Sequence, residues 1–496
     1  MPEHLKKALQ TLVSAGFQVS PEAWSLIASR ENPVDAAQQI VEFFNSLSEK
    51  PPVIEKEHVE QALVGKTQTI HLTPKTVEKP VAAEVDAAIT VHSSPPRNLK
   101  ISGGSEAFKA YFTDRFRRLT KILRGRLDAK DAIPVSEAIR LSESRAKQPI
   151  KVIGVVSSKR ELKSGSIAIE LEDLQSIITV VFPGSNADLL AKASKLVLDQ
   201  VVCIVGIKRG DALIAQDIIL PDLPSKRPRA SSEEIYAVLI SDLHIGSRLF
   251  LEERFRLFIK WLRGEHGNSA YKELAGRVKY LVIAGDLVDG IGVYPGQEDE
   301  LALKDVYKQY EYAAKLLSEI PDYIQIVIIP GNHDAAFPAI PSPPIFREYA
   351  EPVYELPNVL MLGDPSHISL HEVEFLVTHG RSLDDAIPSF PGCSFSHPED
   401  AMVELLRCRH LAPIYGQKTP LAPVSRDYLV VERIPDVFQA GHVHMMGAKV
   451  YRGVLVVNTG TWQSQTSYQR SMGLEPKPAI ATLINLASLQ PVFMEF

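Results

Sequence analysis

Cysteine is scarce. Cys203, Cys393 and Cys408 are the only three in 496 residues, and no two form a C-x-x-C pair. Such an odd, unpatterned set excludes a disulfide framework and a zinc knuckle, and each thiol is expected to be a small buried apolar side chain. No apolar run approaches the roughly 18 residues needed to span a bilayer, so no membrane partner is expected. The start, Met1-Pro2-Glu3-His4, lacks the apolar stretch of a secretory signal, and the expected compartment is the cytoplasm. There is no internal repeat and no glycine-rich phosphate loop. Positive charge is not in excess either: the formal net charge is −6, so any nucleic-acid contact must be local and basic.

What is present is a long chain of ordinary globular composition, 45% hydrophobic and 23% charged. That length exceeds one core and implies two to four domains. Residues 1–48 read as a helical module. Leu5, Leu9, Leu12 and Val13 recur at helical spacing, Ser20-Pro21 looks like an N-cap with proline at the first turn, and Asn32-Pro33 opens another helix. Residues 49–104 lose periodicity and are rich in Pro, Lys, Glu, Val and Thr, which predicts a flexible linker. Residues 105–147 form a helical connector whose apolar face carries Phe108, Phe112, Phe116, Leu119 and Leu123. The same stretch carries Arg115, Arg117, Arg118, Lys121, Arg124 and Arg126. These either contact phosphates, form a solvated helix face, or pair with acids of a neighbouring domain.

Residues 148–222 look all-β. Short β-branched runs at 150–156, 166–171, 177–182, 201–207 and 212–219, with a helix at 187–196 between the third and fourth, give the order of an OB-fold barrel. Phe182 is its only aromatic, so protein packing is a better expectation than base stacking. After the proline-rich 221–228 stretch, an α/β pattern runs from 233 to 496.

Five apolar runs in that last region end in residues that bind metals or move protons. The run 235–240 leads into Ser241-Asp242-Leu243-His244, and 280–283 into Ala284-Gly285-Asp286-Leu287-Val288-Asp289. The run 324–329 leads into Pro330-Gly331-Asn332-His333-Asp334, 375–377 into Thr378-His379-Gly380-Arg381-Ser382, and 437–439 into Ala440-Gly441-His442-Val443-His444. Each alone has a bland explanation, since D-x-H occurs by chance and Asn and Asp favour turns. Together they do not, because chance would scatter these residue types over helices and loops. Strand exits at the carboxyl edge of an open sheet are where α/β proteins place ligands. In an extended segment His442 and His444 would point to the same side. Converging carboxylates and imidazoles demand cations. So many imidazoles suit Mn²⁺, Fe²⁺ or Zn²⁺ better than Mg²⁺ or Ca²⁺, with Mn²⁺ the leading candidate.

The order D-x-H, G-D-x-x-D, G-N-H-D, H and G-H-x-H resembles the calcineurin-like metallophosphoesterase superfamily. The whole chain resembles something narrower, the small subunit of archaeal family D DNA polymerase. That likeness is carried by His379-Gly380-Arg381-Ser382-Leu383-Asp384-Asp385, by the 409–416 stretch starting Arg409-His410, and by Asn458-Thr459-Gly460-Thr461-Trp462-Gln463. The resemblance implies an α/β fold: a calcineurin-like metallophosphoesterase β-sandwich flanked by helices, preceded by an OB-fold β-barrel and a small N-terminal helical domain. It implies two divalent ions, one on Asp242, His244, Asp286 and His444, the other on Asp286, Asn332, His379 and His442. By the same likeness His333 is catalytic, and Asp289 and Asp334 orient imidazoles.

The activity implied is 3′→5′ exonuclease proofreading on single-stranded or mispaired DNA 3′ ends, in a heterodimer with the large catalytic polymerase subunit. A purely structural B-subunit without nuclease activity is the alternative, because eukaryotic relatives keep the fold and lose ligands. A free phosphatase or cyclic-nucleotide phosphodiesterase is a third reading, which the barrel, linker and helical module oppose. Arg381, Arg409 and His410, with Ser394, His397 and Arg407, are candidates for lining a DNA groove; packing of a cap is the competing expectation. The tail from Gln490 to Phe496 faintly resembles a sliding-clamp-binding peptide, with a final strand as the preferred expectation.

Overall fold

The computed structural model describes residues 2–30, 32–45, 53–56, 58, 59, 62, 79–141, 148–471 and 473–496. Residues 1–75 with 490–492 form one compact unit, and 76–489 with 493–496 another.

In the first unit, helices Glu3–Ser14, Pro21–Ala28 and Pro33–Asn45 enclose Leu12, Phe17, Ile27, Ile40, Phe43 and Phe44. Ser20 caps the second helix by accepting from Ala23 N at 3.3 Å, with Pro21 behind it. A short parallel ribbon of β1 (Gln18–Val19) and β2 (Val53–Ile54), not expected from the sequence, joins them.

The expectation of a flexible linker over 49–104 falls partly outside the described residues, and within 79–104 it is wrong. Helix Val81–Glu84 and β3 (Ile89–Ser93) are ordered there. Lys279 Nζ donates to Ala82 O at 3.0 Å, and Ala88 N donates to Tyr280 Oη at 2.7 Å. Five residues at a sheet edge hold no core of their own. Their order comes from distant partners, and no local periodicity records it.

Helix Ser105–Arg124 leads to β4 (Ile133–Pro134) and helix Val135–Arg140. Next come β5 (Ile150–Glu161), β6 (Ile167–Glu172), β7 (Ile177–Phe182), helix Ala187–Ser194, β8 (Val201–Arg209) and β9 (Ala212–Ile219). The order β5-β6-β7-β9-β8, with β5 also pairing β8, closes a five-stranded barrel. Val152, Ile169, Val180, Phe182, Ile204 and Leu213 fill it. Three arginines of the 105–147 stretch are spent on acids. Arg115 is buried against Asp427, Arg118 binds Asp114 and Glu432, and Arg126 binds Asp128. Pairing with acids is the expectation that these three residues meet.

The remaining strands are β10 (Tyr236–Ile240), β11 (Val278–Ala284), β12 (Gln325–Ile329), β13 (Val359–Met361), β14 (Ser366–Leu370), β15 (Val373–Val377), β16 (Val437–Ala440), β17 (Met446–Tyr451), β18 (Val454–Thr459), β19 (Ile480–Asn485) and β20 (Pro491–Glu495). They build two six-stranded sheets, β13-β12-β11-β10-β19-β20 and β17-β18-β16-β15-β14-β3. Ala237, Val282 and Val327 of the first sheet share one core with Ile368, Phe375 and Val457 of the second. Helices such as Glu252–Leu262, packed through Phe255, Phe258 and Trp261, cover the outside. Strands β10 and β11 are buried on both faces, which explains why they read as continuous apolar runs. The tail is a strand, the preferred expectation for it. Among the described residues no helix is long and apolar enough to cross a membrane.

Candidate metal centre

Parallel strands β10, β11 and β12 of one sheet, and β15 and β16 of the other, release their polar residues at a common rim. The backbone there is strained. Asp242, His244, Asp286, His442 and His444 all have positive φ, at 54°, 51°, 51°, 73° and 60°. A non-glycine residue in this region costs roughly 1–3 kcal/mol and persists only where its surroundings over-determine it. Here they do: Asp242 N donates to Gly285 O at 3.0 Å, His244 N to Asp286 O at 3.1 Å, and His442 N to Asp242 Oδ2 at 2.9 Å.

The expected same-side placement of His442 and His444 therefore fails. Strand β16 stops at Ala440, and both residues are left-handed, so their rings diverge. His444 Nε2 lies 3.0 Å from His244 Nε2, while His442 Nδ1 lies 3.2 Å from His379 Nε2.

This divergence makes two half-sites. In one, His444 Nε2 is 3.4 Å and His244 Nε2 3.9 Å from Asp242 Oδ1. In the other, His379 Nε2 is 3.0 Å from Asn332 Oδ1. Asp286 Oδ2 reaches both, 3.7 Å from His244 Nε2 and 3.3 Å from His379 Nε2. Asp242, His244 and His444, and likewise Asp242, Asp286 and His379, bring donor atoms within 4.8 Å of one another. All seven predicted ligands thus meet.

The chemistry of this donor set fits divalent cations. His244 Nδ1 donates to Asp289 Oδ1 at 2.9 Å, His379 Nδ1 to Ala284 O at 2.9 Å, and His442 Nε2 to Asp384 Oδ2 at 3.1 Å. With the outer nitrogens committed as donors, the inner ones carry lone pairs aimed at each other. Their roughly 3 Å spacings suit neighbouring donors on one ion with bonds of about 2.1 Å. Positive charge is demanded here in any case. Burial opposes the His379 imidazolium, yet the Asp286 carboxylate outweighs it and raises the pKa to about 10. Burial likewise opposes ionisation of Asp286, and the surrounding imidazoles, His379 first, hold it well below the usual carboxylate range.

Asp289 binds His244 as expected and also takes His333 Nδ1 on its carbonyl at 2.8 Å. Asp334 differs from expectation: it touches no imidazole. Its oxygens accept from Gly331 N, Leu287 N, Val288 N and Tyr310 Oη, so it ties two strand exits together. Burial, with repulsion from Asp286, raises its pKa to about 6. Between these exits Gly331 lies against Asp286, where a Cβ would collide with both the carboxylate and the backbone N. Gly331→Ala should therefore cost about 1–3 kcal/mol of stability and lower the metal content of the purified protein, read by denaturant unfolding and elemental analysis.

Arg381 is half-buried, donates to Pro338 O, and lines a cavity with Asn332 and His333. Arg409 and His410 do not serve a groove. They are 4% and 1% exposed; Arg409 donates to Val431 O and Glu432 O, and His410 to Asp427. Neither they nor Ser394, His397 and Arg407 line the cavities beside the cluster, whereas Phe395 does. Sequence reasoning also missed Asp384, Asp364 and Gln469. Asp384 stands in the stretch from His379 to Asp385, close behind a strand-exit motif, and that proximity was a usable signal. Asp364, which receives Thr378 Oγ1 at 2.7 Å, and Gln469, 2.7 Å from His444 Nδ1, gave no sequence signal.

Residues 237–446 match the family of B subunits of DNA polymerases alpha and epsilon. A DNA polymerase II small subunit from Archaeoglobus fulgidus is 39% identical over 468 residues, covering 93% of this chain and 92% of that one. That of Methanothermobacter thermautotrophicus is 42% identical over 405 residues, covering 82% and 83%. That of Pyrococcus abyssi is 40% identical over 430 residues, covering 85% and 68%.

Proposed function

The chain belongs to the family of archaeal DNA polymerase II small subunits, the small subunits of family D polymerase, and from that premise we propose that it is the 3′→5′ exonuclease of a replicative DNA polymerase. In this reading the two sheets are a calcineurin-like metallophosphoesterase sandwich and the barrel is an OB-fold. The large catalytic subunit is the partner, and DNA with a single-stranded or mispaired 3′ end is the substrate. The observation that carries the reading is the complete donor set in two half-sites sharing Asp286.

Asp242, His244, Asp286 and His444 would hold one divalent ion, and Asp286, Asn332, His379 and His442 the other, with Mn²⁺ favoured over Fe²⁺ or Zn²⁺. Bound there, such ions would neutralise and polarise the scissile phosphate. The protein's own groups do the rest. Asp289, Ala284 O and Asp384 fix the rings of His244, His379 and His442. His333 N donates to Asp286 Oδ1 at 2.8 Å, and its Nδ1 is anchored on Asp289 O. Its Nε2 has no hydrogen-bond partner among the described residues, and the ring borders the cavities. A water oxygen bonds to phosphorus and the bond from phosphorus to the penultimate 3′-oxygen breaks. His333 Nε2 gives that oxygen its proton, and the proton lost by water leaves to solvent. The products are a nucleoside 5′-monophosphate and a strand shortened by one.

His333→Ala tests this directly. Metal content should stay unchanged while nucleotide release from single-stranded DNA in Mn²⁺ falls about 10²-fold or more, the usual scale for a proton donor. Full activity in this variant would remove the role. No release by the wild-type chain, alone or with the large subunit, together with tight binding to that subunit, would favour the structural alternative.

A further inference from the structure

His333, Asn332 and Val293 stand on a wall shared by two cavities of about 440 and 420 Å³. Both volumes fall in the roughly 300–1,000 Å³ range of small-ligand sites. They differ in charge. Beyond Asp286, the first is lined by Asp289, Asp384 and Glu300, by no lysine or arginine, and by apolar Phe395, Val443 and Leu474. The second carries Arg381 and Tyr349. Its one carboxylate, Asp334, is buried and committed to backbone N–H groups and Tyr310.

Between the cavities runs the 290–296 loop. Gly290, Gly292 and Gly296 take φ of 69°, 74° and 83°, and apolar Ile291, Val293 and Tyr294 are 42%, 37% and 36% exposed. The loop is pinned. Buried Gln297 accepts from Val293 N at 2.9 Å and donates to Asp289 O at 2.8 Å. Tyr294 Oη donates to Glu300 at 2.8 Å. It is a fixed apolar ridge beside the metal ligands.

We propose that this ridge splays the DNA 3′ end, with the terminal nucleoside in the acidic cavity, the preceding nucleotide in the Arg381 cavity, and Val293 between their bases. This rests on the nuclease reading and assigns which cavity holds each nucleotide of its substrate. The first cavity offers no lysine or arginine to a continuing phosphodiester chain, whereas a terminal nucleoside ends in a neutral 3′-hydroxyl and offers its base to Phe395, Val443 and Leu474. The anionic strand runs out past Arg381. There Tyr349, whose ring centroid is 5.3 Å from that of half-exposed Tyr307, offers a stacking surface. Only an unpaired base can be parted from its neighbour cheaply, so the ridge selects frayed or mispaired ends.

The test uses the full chain with Mn²⁺ and single-stranded oligonucleotides carrying 5-iodouracil, photoreactive toward aromatic side chains. The iodouracil is placed at the terminal or the penultimate position, with a phosphorothioate at the last linkage to slow hydrolysis. Terminal iodouracil should crosslink to peptides containing Tyr294 or Phe395, and penultimate iodouracil to the peptide containing Tyr349. Tyr349→Ala should lose at least ten-fold of the second crosslink only. Reversed crosslinks, the same peptides from both positions, or none from bound oligonucleotide would overturn the ridge. Nucleotide release from the unmodified oligonucleotide is scored separately: release with misplaced crosslinks sinks only the ridge, and correct crosslinks without release sink only the nuclease.

Discussion

Asp286→Ala is expected to strip the protein of bound divalent metal and to reduce nucleotide release by on the order of 10³-fold or more. Asp286 Oδ2 stands between the half-sites, at 3.7 Å from His244 Nε2 and 3.3 Å from His379 Nε2. Its Oδ1 also receives His333 N at 2.8 Å, so the substitution frees the loop carrying the proton donor. The pattern separates Asp286 from His333, whose loss should leave the metals in place. Elemental analysis beside the nuclease assay reads both. A variant that kept both ions and near-normal activity would remove Asp286 from the centre of the site. An unfolding curve with the wild-type midpoint would show that the loss is local.

Asp286 also shows why the site was legible in the sequence. A residue at the exit of a fully buried strand is announced by the apolar run before it, and β10, β11, β12, β15 and β16 each supplied such a run. The barrel was legible from its short β-branched runs. What stayed hidden depends on contacts between distant segments. β3 is ordered by β14, some 275 residues later. Gln469 reaches His444 from a five-residue helix with no pattern of its own. The left-handed backbone at His442 and His444 was invisible too, because the surrounding hydrogen bonds impose it against both residues' own preference.

Arg409 and His410 illustrate the opposite error. A basic pair in a stretch that carries a family likeness reads as a groove, but the fold uses it inside. His410 belongs to a buried hub around Asp427, whose carboxylate is fully covered. It accepts from Tyr111 Oη and Arg115 Nε at 2.8 Å, and from His410 Nε2 and Leu429 N at 2.9 Å. Composition cannot distinguish a cation facing solvent from one bound to an acid more than 300 residues away, as Arg115 is.

Asp427→Ala should therefore destabilise the large unit by about 3–5 kcal/mol, because it leaves the Arg115 guanidinium buried without its counter-charge. Denaturant unfolding reads this, and a double-mutant cycle with Arg115→Met should recover part of the loss. The hub also sets a pH signature. His410 Nε2 donates to Asp427 while Nδ1 accepts from Ala412 N at 3.0 Å, so the ring is held neutral. Burial, helped by Arg115, lowers its pKa to about 4. The unfolded chain, with a histidine pKa near 6.5, takes up this proton first, so stability should fall as pH drops from about 6.5 to 4. Burial works against Asp427, but His410 and Arg115 keep its carboxyl below the ordinary range, so its own contribution is lost only under more acid conditions. His367, buried and lowered to about 3, adds a slope of the same sign. His410→Gln should accordingly flatten the profile between pH 4 and 6.5 without abolishing it. A profile that this substitution leaves unaltered would mean that the neutral ring contributes nothing to the acid limb.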